Sequence, residues 1–154
     1  MTINVGINGF GRIGRSTLSH ITESARNDVH VTKINATGSI QTNAHLLKYD
    51  STHGRFASDI VIKNDTLDIG YGPVKVFSSY NPEELDWSGC DVVLECTGKF
   101  NDGLKSKVHI QQGAKSVLIS APASNVDKTV VYGVNHRSLT SSDKIVSNGS
   151  CTTN

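Results

Sequence analysis

Three glycines near the start of the chain have the spacing of a turn that binds phosphate. Gly9, Gly11 and Gly14 form the pattern G-x-G-x-x-G directly after an apolar run at residues 3–7. The first glycine permits a tight bend, the second lets a pyrophosphate approach the backbone, and the third lets a helix pack closely on the strand. Free N–H groups at the start of that helix attract phosphates. The pattern predicts a dinucleotide site, and the alternative is a glycine-rich turn without a ligand.

The same residues come close to a second phosphate-binding pattern, the P-loop G-x-x-x-x-G-K-S/T. Gly9 and Gly14 fit its glycines and Ser16 fits its hydroxyl, but Arg15 stands where the lysine belongs. That lysine acts as a compact charge on the terminal phosphates, and a planar guanidinium does not replace it. A dinucleotide is therefore the favoured ligand.

Near the other end of the chain, Cys151 is a candidate nucleophile. It lies in the segment SNGSCTTN (residues 147–154), after a predicted strand, and Ser150 can cap a helix that begins near it. A cysteine at a helix N-terminus has a lowered pKa and forms a thiolate readily. Cysteines more often fill buried space, so the pattern alone leaves the role of Cys151 open. Cys96 is predicted to belong to the core, and Cys90 to be structural.

These residues need a scaffold of alternating strands and helices. Strands are predicted at residues 3–7, 29–35, 92–96, 117–120, 130–132 and 145–147, and helices at 12–26, 41–49 and 102–112. This order predicts an α/β fold with a doubly wound, mostly parallel sheet of the Rossmann type. Short β-like pieces within residues 60–77 predict a small antiparallel insertion, as a hairpin or a meander attached to the sheet.

Composition excludes several classes of function. The 154 residues carry a formal net charge of +1, which argues against nucleic-acid binding through bulk electrostatics. Apolar runs are too short for a membrane span, and the first residues lack the pattern of a signal peptide. The three cysteines form no CxxC pair, so no metal site is expected. We expect a cytoplasmic protein with free thiols and no nucleic-acid or membrane partner.

The end of the second strand lacks the acidic residue that the dinucleotide pattern predicts. Such a residue, about 20 positions beyond the glycines, holds the ribose hydroxyls. Here Asn35 is followed by Ala36, Thr37, Gly38 and Ser39. The missing carboxylate removes an acceptor for the ribose 2′-OH, and it also removes repulsion against a 2′-phosphate. Because the hydroxyls of Thr37 and Ser39 can donate to that phosphate, we expect the site to accept both NAD and NADP.

Taken together, the motifs resemble the family of phosphorylating glyceraldehyde-3-phosphate dehydrogenases. The likeness is carried by residues 6–15 and 150–154, with further segments at 45–54, 95–98, 120–122 and 131–135, and it covers essentially the whole chain. It implies that Cys151 attacks the aldehyde of glyceraldehyde 3-phosphate, that hydride passes to NAD, and that inorganic phosphate releases an acyl phosphate from the thioester. Erythrose-4-phosphate dehydrogenase is the nearest rival within this class.

The resemblance also implies roles for individual residues. Those that match the segment around the pyrophosphate are Asn8, Gly9, Phe10, Gly11, Arg12 and Ile13. Those on the adenosine side, including the two at the expected ribose position, are Asn35, Ala36, Thr97, Gly98 and Phe100. Ser120 matches a position near the nicotinamide ribose, and Ser150 and Thr152 match positions that hold phosphate beside Cys151.

Three positions depart from the pattern of the family. Ala36 replaces the aspartate that binds the ribose, Tyr80 replaces an arginine common near the adenine, and Gly149 replaces an alanine before the nucleophile. The first departure removes the acceptor that the family uses for the ribose hydroxyls of NAD. At the second, either the Tyr80 ring stacks on the adenine or that edge of the site is looser.

The general base of the family has no counterpart in this sequence. All six histidines precede Cys151, and none lies in a segment that matches that base, so they are predicted to be surface or structural residues. We assign residues 1–150 to the dinucleotide-binding domain and residues 151–154 to the start of a catalytic domain whose remainder is absent. The resemblance implies a homotetramer for the full-length protein. For the 154-residue chain alone, the competing hypothesis is a binding module without turnover; nothing in the sequence supports a scaffold role.

Overall fold

The computed structural model describes residues 2–149 and contains eleven strands and three α-helices in that range. The strands are β1 (Ile3–Asn8), β2 (Val29–Asn35), β3 (Tyr49–Asp50), β4 (Gly54–Arg55), β5 (Val61–Lys63), β6 (Thr66–Asp68), β7 (Pro73–Phe77), β8 (Val92–Glu95), β9 (Ser116–Ile119), β10 (Lys128–Val130) and β11 (Ile145–Asn148). The helices are α1 (Arg12–Glu23), α2 (Ile40–Lys48) and α3 (Gly103–Gln111). Short 3-10 turns at Pro82–Glu84 and His136–Ser138 lie in the connections.

Nine of these strands form one sheet in the order β10-β11-β9-β8-β1-β2-β7-β6-β5. All neighbours from β10 to β7 run parallel, whereas β7, β6 and β5 form an antiparallel meander at one edge. From β1 the chain winds outward to β2 and β7, then returns to place β8 and β9 on the other side. The predicted doubly wound Rossmann sheet with its antiparallel insertion is confirmed, and the strand order reverses between β1 and β8.

Side chains that alternate along β1 show how both faces of the sheet are covered. Val5 and Ile7 are buried in a cluster with Leu18 of α1 on one face. Gly6 points to the other face, where an added Cβ would lie 2.7 Å from the ring of Trp87. A further cluster joins Ile110 of α3 to β9. Both faces of the central strands are therefore covered, as is usual for parallel sheets.

Polar caps and a glycine fix the ends of two helices. The side chain of Ser39 accepts from the backbone N–H of Thr42 at 3.1 Å, and that of Asp102 accepts from Leu104 at 2.9 Å, so α2 and α3 begin at capping residues. Gly113, with φ of +106°, ends α3 in the left-handed region. The helices predicted at 41–49 and 102–112 therefore agree with the structure to within a residue at each end.

Two local predictions were wrong. Tyr49 does not belong to the second helix, because it pairs with Arg55 in a separate two-stranded sheet formed by β3 and β4. The strand predicted at 130–132 lies at Lys128–Val130, because its register is set by pairing with β11, and Tyr132 lies in a turn. Within residues 2–149, no helix has the length and apolar character needed to cross a membrane.

Candidate dinucleotide-binding site

A cleft of about 350 Å³ opens where the carboxyl ends of β1 and β8 meet. Open α/β sheets bind ligands at this place, where the strand order reverses. Of the residues that the sequence predicts to contact a cofactor, those that line the cleft are Asn8, Gly9, Phe10, Gly11, Asn35, Thr97 and Phe100. The topology thus brings together residues that are up to 92 positions apart in the chain.

The three motif glycines differ in what a side chain at each position would meet. Gly9 has φ of +94°, and an added Cβ would lie 2.7 Å from the backbone nitrogen of Thr97. A Cβ on Gly14 would lie 2.2 Å from the carbonyl oxygen of Gly9. A Cβ on Gly11 would meet nothing within 4 Å. The first and third glycines are thus required by the protein itself, whereas the second leaves open space beside the cleft.

The start of α1 offers unpaired donors to a ligand. Its N-cap residue is Gly11, which supplies no side-chain hydrogen bond, and no acidic residue lies in its first turn. The other two helices have their caps filled by Ser39 and Asp102. Free N–H groups at the positive end of a helix dipole bind phosphate well. This end of α1 is therefore suited to a pyrophosphate.

The walls of the cleft carry positive charge. Arg15 and Lys99 both line it, and no aspartate or glutamate is among the described residues that do so. The Arg15 guanidinium donates to the carbonyl oxygen of Phe10 at 2.8 Å, and the Lys99 Nζ lies 5.5 Å from the centre of the Tyr80 ring. Tyr80 itself is 80% exposed at the rim. An anionic ligand with an aromatic group fits these walls.

The remaining predicted cofactor residues within 2–149 do not line the cleft. The Arg12 side chain is turned to the end of β3 and the turn that follows it, where Nη2 donates to Asp50 Oδ1 at 3.2 Å and to Thr52 Oγ1 at 2.9 Å. Ile13 is exposed on α1, and Gly98 lies in the turn after β8 with φ of +73°. For Arg12 and Ile13, the backbone at the start of α1 is the part nearest to the phosphate site.

Ala36 and Ser120 lie behind the cleft walls. Ala36 is 1% exposed in the core, and its N–H donates to the carbonyl oxygen of Phe77 at 2.9 Å. Ser120 follows β9, and its N–H donates to the carbonyl oxygen of Glu95 at 3.0 Å. The residue of this segment that does line the cleft is Thr37. The hydroxyl oxygen of Ser39 accepts the capping bond of α2, and the hydroxyl also lies 2.8 Å from that of Thr42.

A buried cluster around Glu95 lies under the cleft, and sequence reasoning did not find it. The Glu95 carboxylate is 1% exposed and accepts hydrogen bonds from His109 Nε2 at 2.9 Å, Asn8 Nδ2 at 2.6 Å, and the N–H of Thr97 at 2.8 Å. The Thr97 hydroxyl donates to it as well. Burial raises the pKa of Glu95, but the bonds from His109, Thr97 and Asn8 outweigh it and hold that pKa below its usual value.

A second set of hydrogen bonds joins this cluster to the wall of the cleft that carries Ser79 and Tyr80. Asn35 Nδ2 donates to Asn8 Oδ1 at 2.8 Å and to the carbonyl oxygen of Ser79 at 2.9 Å. Asn35 Oδ1 accepts from the backbone N–H of Ser79 at 3.0 Å. Asn8 therefore links β8 to β2, and Asn35 links β2 to the segment that carries Tyr80. Asn8, Asn35 and Thr97 were predicted as cofactor residues, and Glu95 lay in the matching segment 95–98, but no sequence signal indicated that Glu95 joins them.

Of the two described cysteines, Cys90 is buried and Cys96 is half-buried. Cys90 is 0% exposed, and burial raises its pKa. Cys96 packs against the main core cluster, as the sequence predicted, and it also lines the cleft. Burial raises the pKa of Cys96 to about 11, with the Ser120 hydroxyl opposing the shift. Neither is an activated nucleophile.

The remaining predicted site residues, Ser150, Cys151 and Thr152, lie outside the described residues. Within 2–149, no group of three or more histidine, cysteine, aspartate and glutamate side chains could hold a metal ion.

Comparison with known proteins gives the family. The family described as "Glyceraldehyde 3-phosphate dehydrogenase, NAD binding domain" matches residues 3–103, which include the glycine turn, Asn35, Glu95 and Phe100. The chain is 54% identical over 154 residues to a glyceraldehyde-3-phosphate dehydrogenase of Cereibacter sphaeroides, covering 100% of this chain and 46% of that relative. It is 53% identical to that of Xanthobacter flavus, covering 47% of the relative.

A chromosomal glyceraldehyde-3-phosphate dehydrogenase of Cupriavidus necator is 47% identical over 158 residues, and 47% of its length is covered. The chain thus spans about half the length of these curated relatives, along the whole of its own length. Together with the Rossmann sheet and the cleft at its switch point, the match shows that the chain belongs to the family of glyceraldehyde 3-phosphate dehydrogenase NAD binding domains.

Proposed function

We propose that residues 1–150 bind NAD in the cleft between β1 and β8 and that residues 151–154 begin the catalytic domain of a glyceraldehyde-3-phosphate dehydrogenase. The observation that carries the proposal is the start of α1. Its cap lacks a side-chain partner, and Gly11 leaves the approach to it open. Because the cleft walls carry Arg15 and Lys99 without a lining carboxylate, the described residues fit an anionic dinucleotide.

In the full-length protein, Cys151 is proposed as the nucleophile. Its thiolate adds to the aldehyde carbon of glyceraldehyde 3-phosphate and forms a thiohemiacetal. Bound NAD would accept the hydride in the oxidation of this group to a thioester, and the hydroxyl proton would pass to a general base that has no counterpart among the histidines of this chain. Inorganic phosphate, held near Ser150 and Thr152, then attacks the thioester carbonyl, which frees the thiolate and releases 1,3-bisphosphoglycerate. Erythrose 4-phosphate is the alternative aldehyde, and the likeness to dehydrogenases that act on glyceraldehyde 3-phosphate favours the first.

The cofactor is proposed to be NAD or NADP. Ala36 contributes no carboxylate that would repel a 2′-phosphate, and Thr37 lines the cleft beside it. Lys99 on the same cleft adds an ammonium group whose Nζ lies within 4.0 Å of no carboxylate in the described part of the chain. The Ser39 hydroxyl lies 2.8 Å from the Thr42 hydroxyl, so its proton can bond to Thr42 in competition with a 2′-phosphate. Titration of the chain with NADH and NADPH side by side tests this, and a strong preference for NADH would rule it out.

The assembly and setting of the protein are proposed from the resemblance. We infer a cytoplasmic homotetramer for the full-length protein, with a role in glycolysis and no nucleic-acid or membrane partner. For the 154-residue chain we expect dinucleotide binding without turnover, because no histidine matches the general base. Steady-state formation of NADH by this chain, supplied with glyceraldehyde 3-phosphate, phosphate and NAD, would show that expectation to be wrong.

A further inference from the structure

The donor and the acceptor of each hydrogen bond around Glu95 can be assigned in only one consistent way. The indole N–H of Trp87, which can only donate, lies 3.1 Å from Nδ1 of His109, so this ring nitrogen must be the acceptor. The proton of the neutral imidazole is then on Nε2, which donates to the Glu95 carboxylate at 2.9 Å. Both side chains are at most 1% exposed, so water does not compete for these bonds. The tautomer of His109 is therefore fixed by Trp87.

The donors and acceptors are fixed in the same way from Glu95 to the wall of the cleft that carries Ser79 and Tyr80. Because the carboxylate accepts from the Asn8 amide nitrogen, the amide oxygen of Asn8 must face Asn35. The amide nitrogen of Asn35 donates to that oxygen, so the amide oxygen of Asn35 faces the N–H of Ser79. Ser79 directly precedes Tyr80 at the cleft rim. Reversal of any one amide would break the bonds of the next.

We propose that Glu95 is a positioning residue for the dinucleotide site, acting through Asn8 and Asn35 on the Ser79–Tyr80 wall and through Thr97 on the other. The inference rests on the proposed dinucleotide binding. Both walls meet at the Glu95 carboxylate, because Thr97 follows β8 and Asn8 ends β1. Glu95 itself does not line the cleft, so its effect on the ligand is exerted through these neighbours.

Removing a charge from water costs free energy, so an apolar residue of similar size often stabilises a core as well as a buried charge or better. A fully bonded polar network, however, specifies one arrangement of its members. The donors that bond to Glu95 lie at the end of β1, directly after β8 and on α3. This favours a role in setting the geometry of the cleft.

The substitution Glu95→Gln tests the proposal with little change in shape. Its amide has one acceptor oxygen in place of two, and its NH₂ group faces donors from His109, Asn8 or Thr97. We expect NADH binding, measured by calorimetry well below the melting temperature, to weaken roughly tenfold or more, since unsatisfied buried donors displace the walls. The matched control is Glu83→Gln, because Glu83 is exposed and makes no side-chain hydrogen bond in the described part of the chain; its affinity should equal that of the wild type.

A second variant separates positioning from a general loss of stability. In Trp87→Phe/Glu95→Gln the indole donor is gone, so Nδ1 of His109 can carry the proton and Nε2 can accept from the introduced amide. We expect the double variant to bind NADH about threefold or more tighter than Glu95→Gln alone. If each substitution only destabilised the fold, their effects on affinity would add, and the double variant would bind more weakly. Wild-type affinity in Glu95→Gln, or no recovery in the double variant, would overturn the proposal.

If Glu95→Gln does not fold, Trp87→Phe alone tests whether Trp87 fixes the tautomer in which His109 donates to Glu95. Nitrogen NMR should show the Nε2–H tautomer of His109 in the wild type and a mixture of tautomers in the variant, with NADH binding weakened about twofold to fivefold by the loss of one fixed hydrogen bond. An unchanged tautomer together with unchanged affinity would contradict the proposal. Failure of the wild-type chain to bind NADH would instead refute the proposed function.

Discussion

Gly14 lies so close to Gly9 that a Cβ on it would come within 2.2 Å of the Gly9 carbonyl oxygen. The third glycine of the motif is therefore required by contact with the first, and this requirement exists before any ligand arrives. Gly11, between them, has no such contact. The motif thus contains glycines that shape the turn and one that leaves room for a ligand.

The first prediction uses this difference. Gly11→Val should preserve the fold, because its backbone is extended with φ of −76° and its Cβ meets nothing. It should abolish measurable NADH binding, because a branched side chain occupies the space where a pyrophosphate approaches the backbone. Calorimetry and thermal melting measure the two effects. Gly14→Ala is the comparison, and it should lower the melting temperature as well as the affinity. Unchanged binding in Gly11→Val would show that the motif is not in use.

The second prediction concerns Lys99. Replacement by methionine keeps most of its apolar length and removes the charge that lies over the Tyr80 ring. We expect NADPH affinity to fall about threefold to tenfold and NADH affinity to change less, because an exposed ammonium–phosphate contact has a modest energy. Parallel titrations with the two cofactors measure the ratio. An equal effect on both would mean that Lys99 serves the adenine side without contacting the 2′-phosphate.

The third prediction concerns the thiols. Near pH 7.5 we expect Cys151 to be alkylated by iodoacetamide before the other two cysteines, because Cys96 has its pKa raised to about 11 and Cys90 is fully buried. Peptide mass spectrometry at successive times gives the three rates. NADH should slow the reaction of Cys96 further, since this residue lines the cleft. Equal rates at all three sites would contradict the expected activation of Cys151.

The fourth prediction is a dependence of stability on pH. The pKa of Glu95 is held below its unfolded value of 4.5, so its ionised form stabilises the fold fully above that pH. This stabilisation is lost as the pH falls below 4.5 and through the lower pKa of the folded state. Urea unfolding between pH 7 and pH 3.5 should show a steeper loss for the wild type than for Glu95→Gln. Parallel curves would show that the pKa of Glu95 is the same in the folded and unfolded states, and a shallower loss for the wild type would show that folding raises it.

The sequence predicted the main sheet well because its signals are local. The apolar run of β1 and the alternation of β2 give strands whose bounds agree with the structure to within one residue. The strands β3 and β4 are two residues each, too short for any periodicity, and only the pairing of Tyr49 with Arg55 defines them. The position of β10 depends on its pairing with β11, which no local pattern contains.

The candidate site was predicted only in part, for a similar reason. Gly9 and Gly11 were found from their spacing, and the structure places both at the cleft. Glu95 and His109 were not found, because an acidic residue and a histidine are usually exposed and nothing local pairs residues 14 positions apart on a strand and a helix. Lys99 and Arg15 line the cleft because the turn after β8 and the first turn of α1 meet there, an arrangement that the sequence pattern leaves open.

The central position of β1 has a consequence for the order of folding during synthesis. Its pairing with β2 joins residues about 26 positions apart, such as Ile3 and Val29, and this pair can form early. Its pairing with β8 joins Val5 to Val92, and this longer loop costs more entropy to close. Until residues 92–97 have left the ribosome, Asn8 lacks Glu95 and Gly9 lacks its contact with Thr97. The glycine turn near the N-terminus is thus made first and completed only after residue 97 has been synthesised.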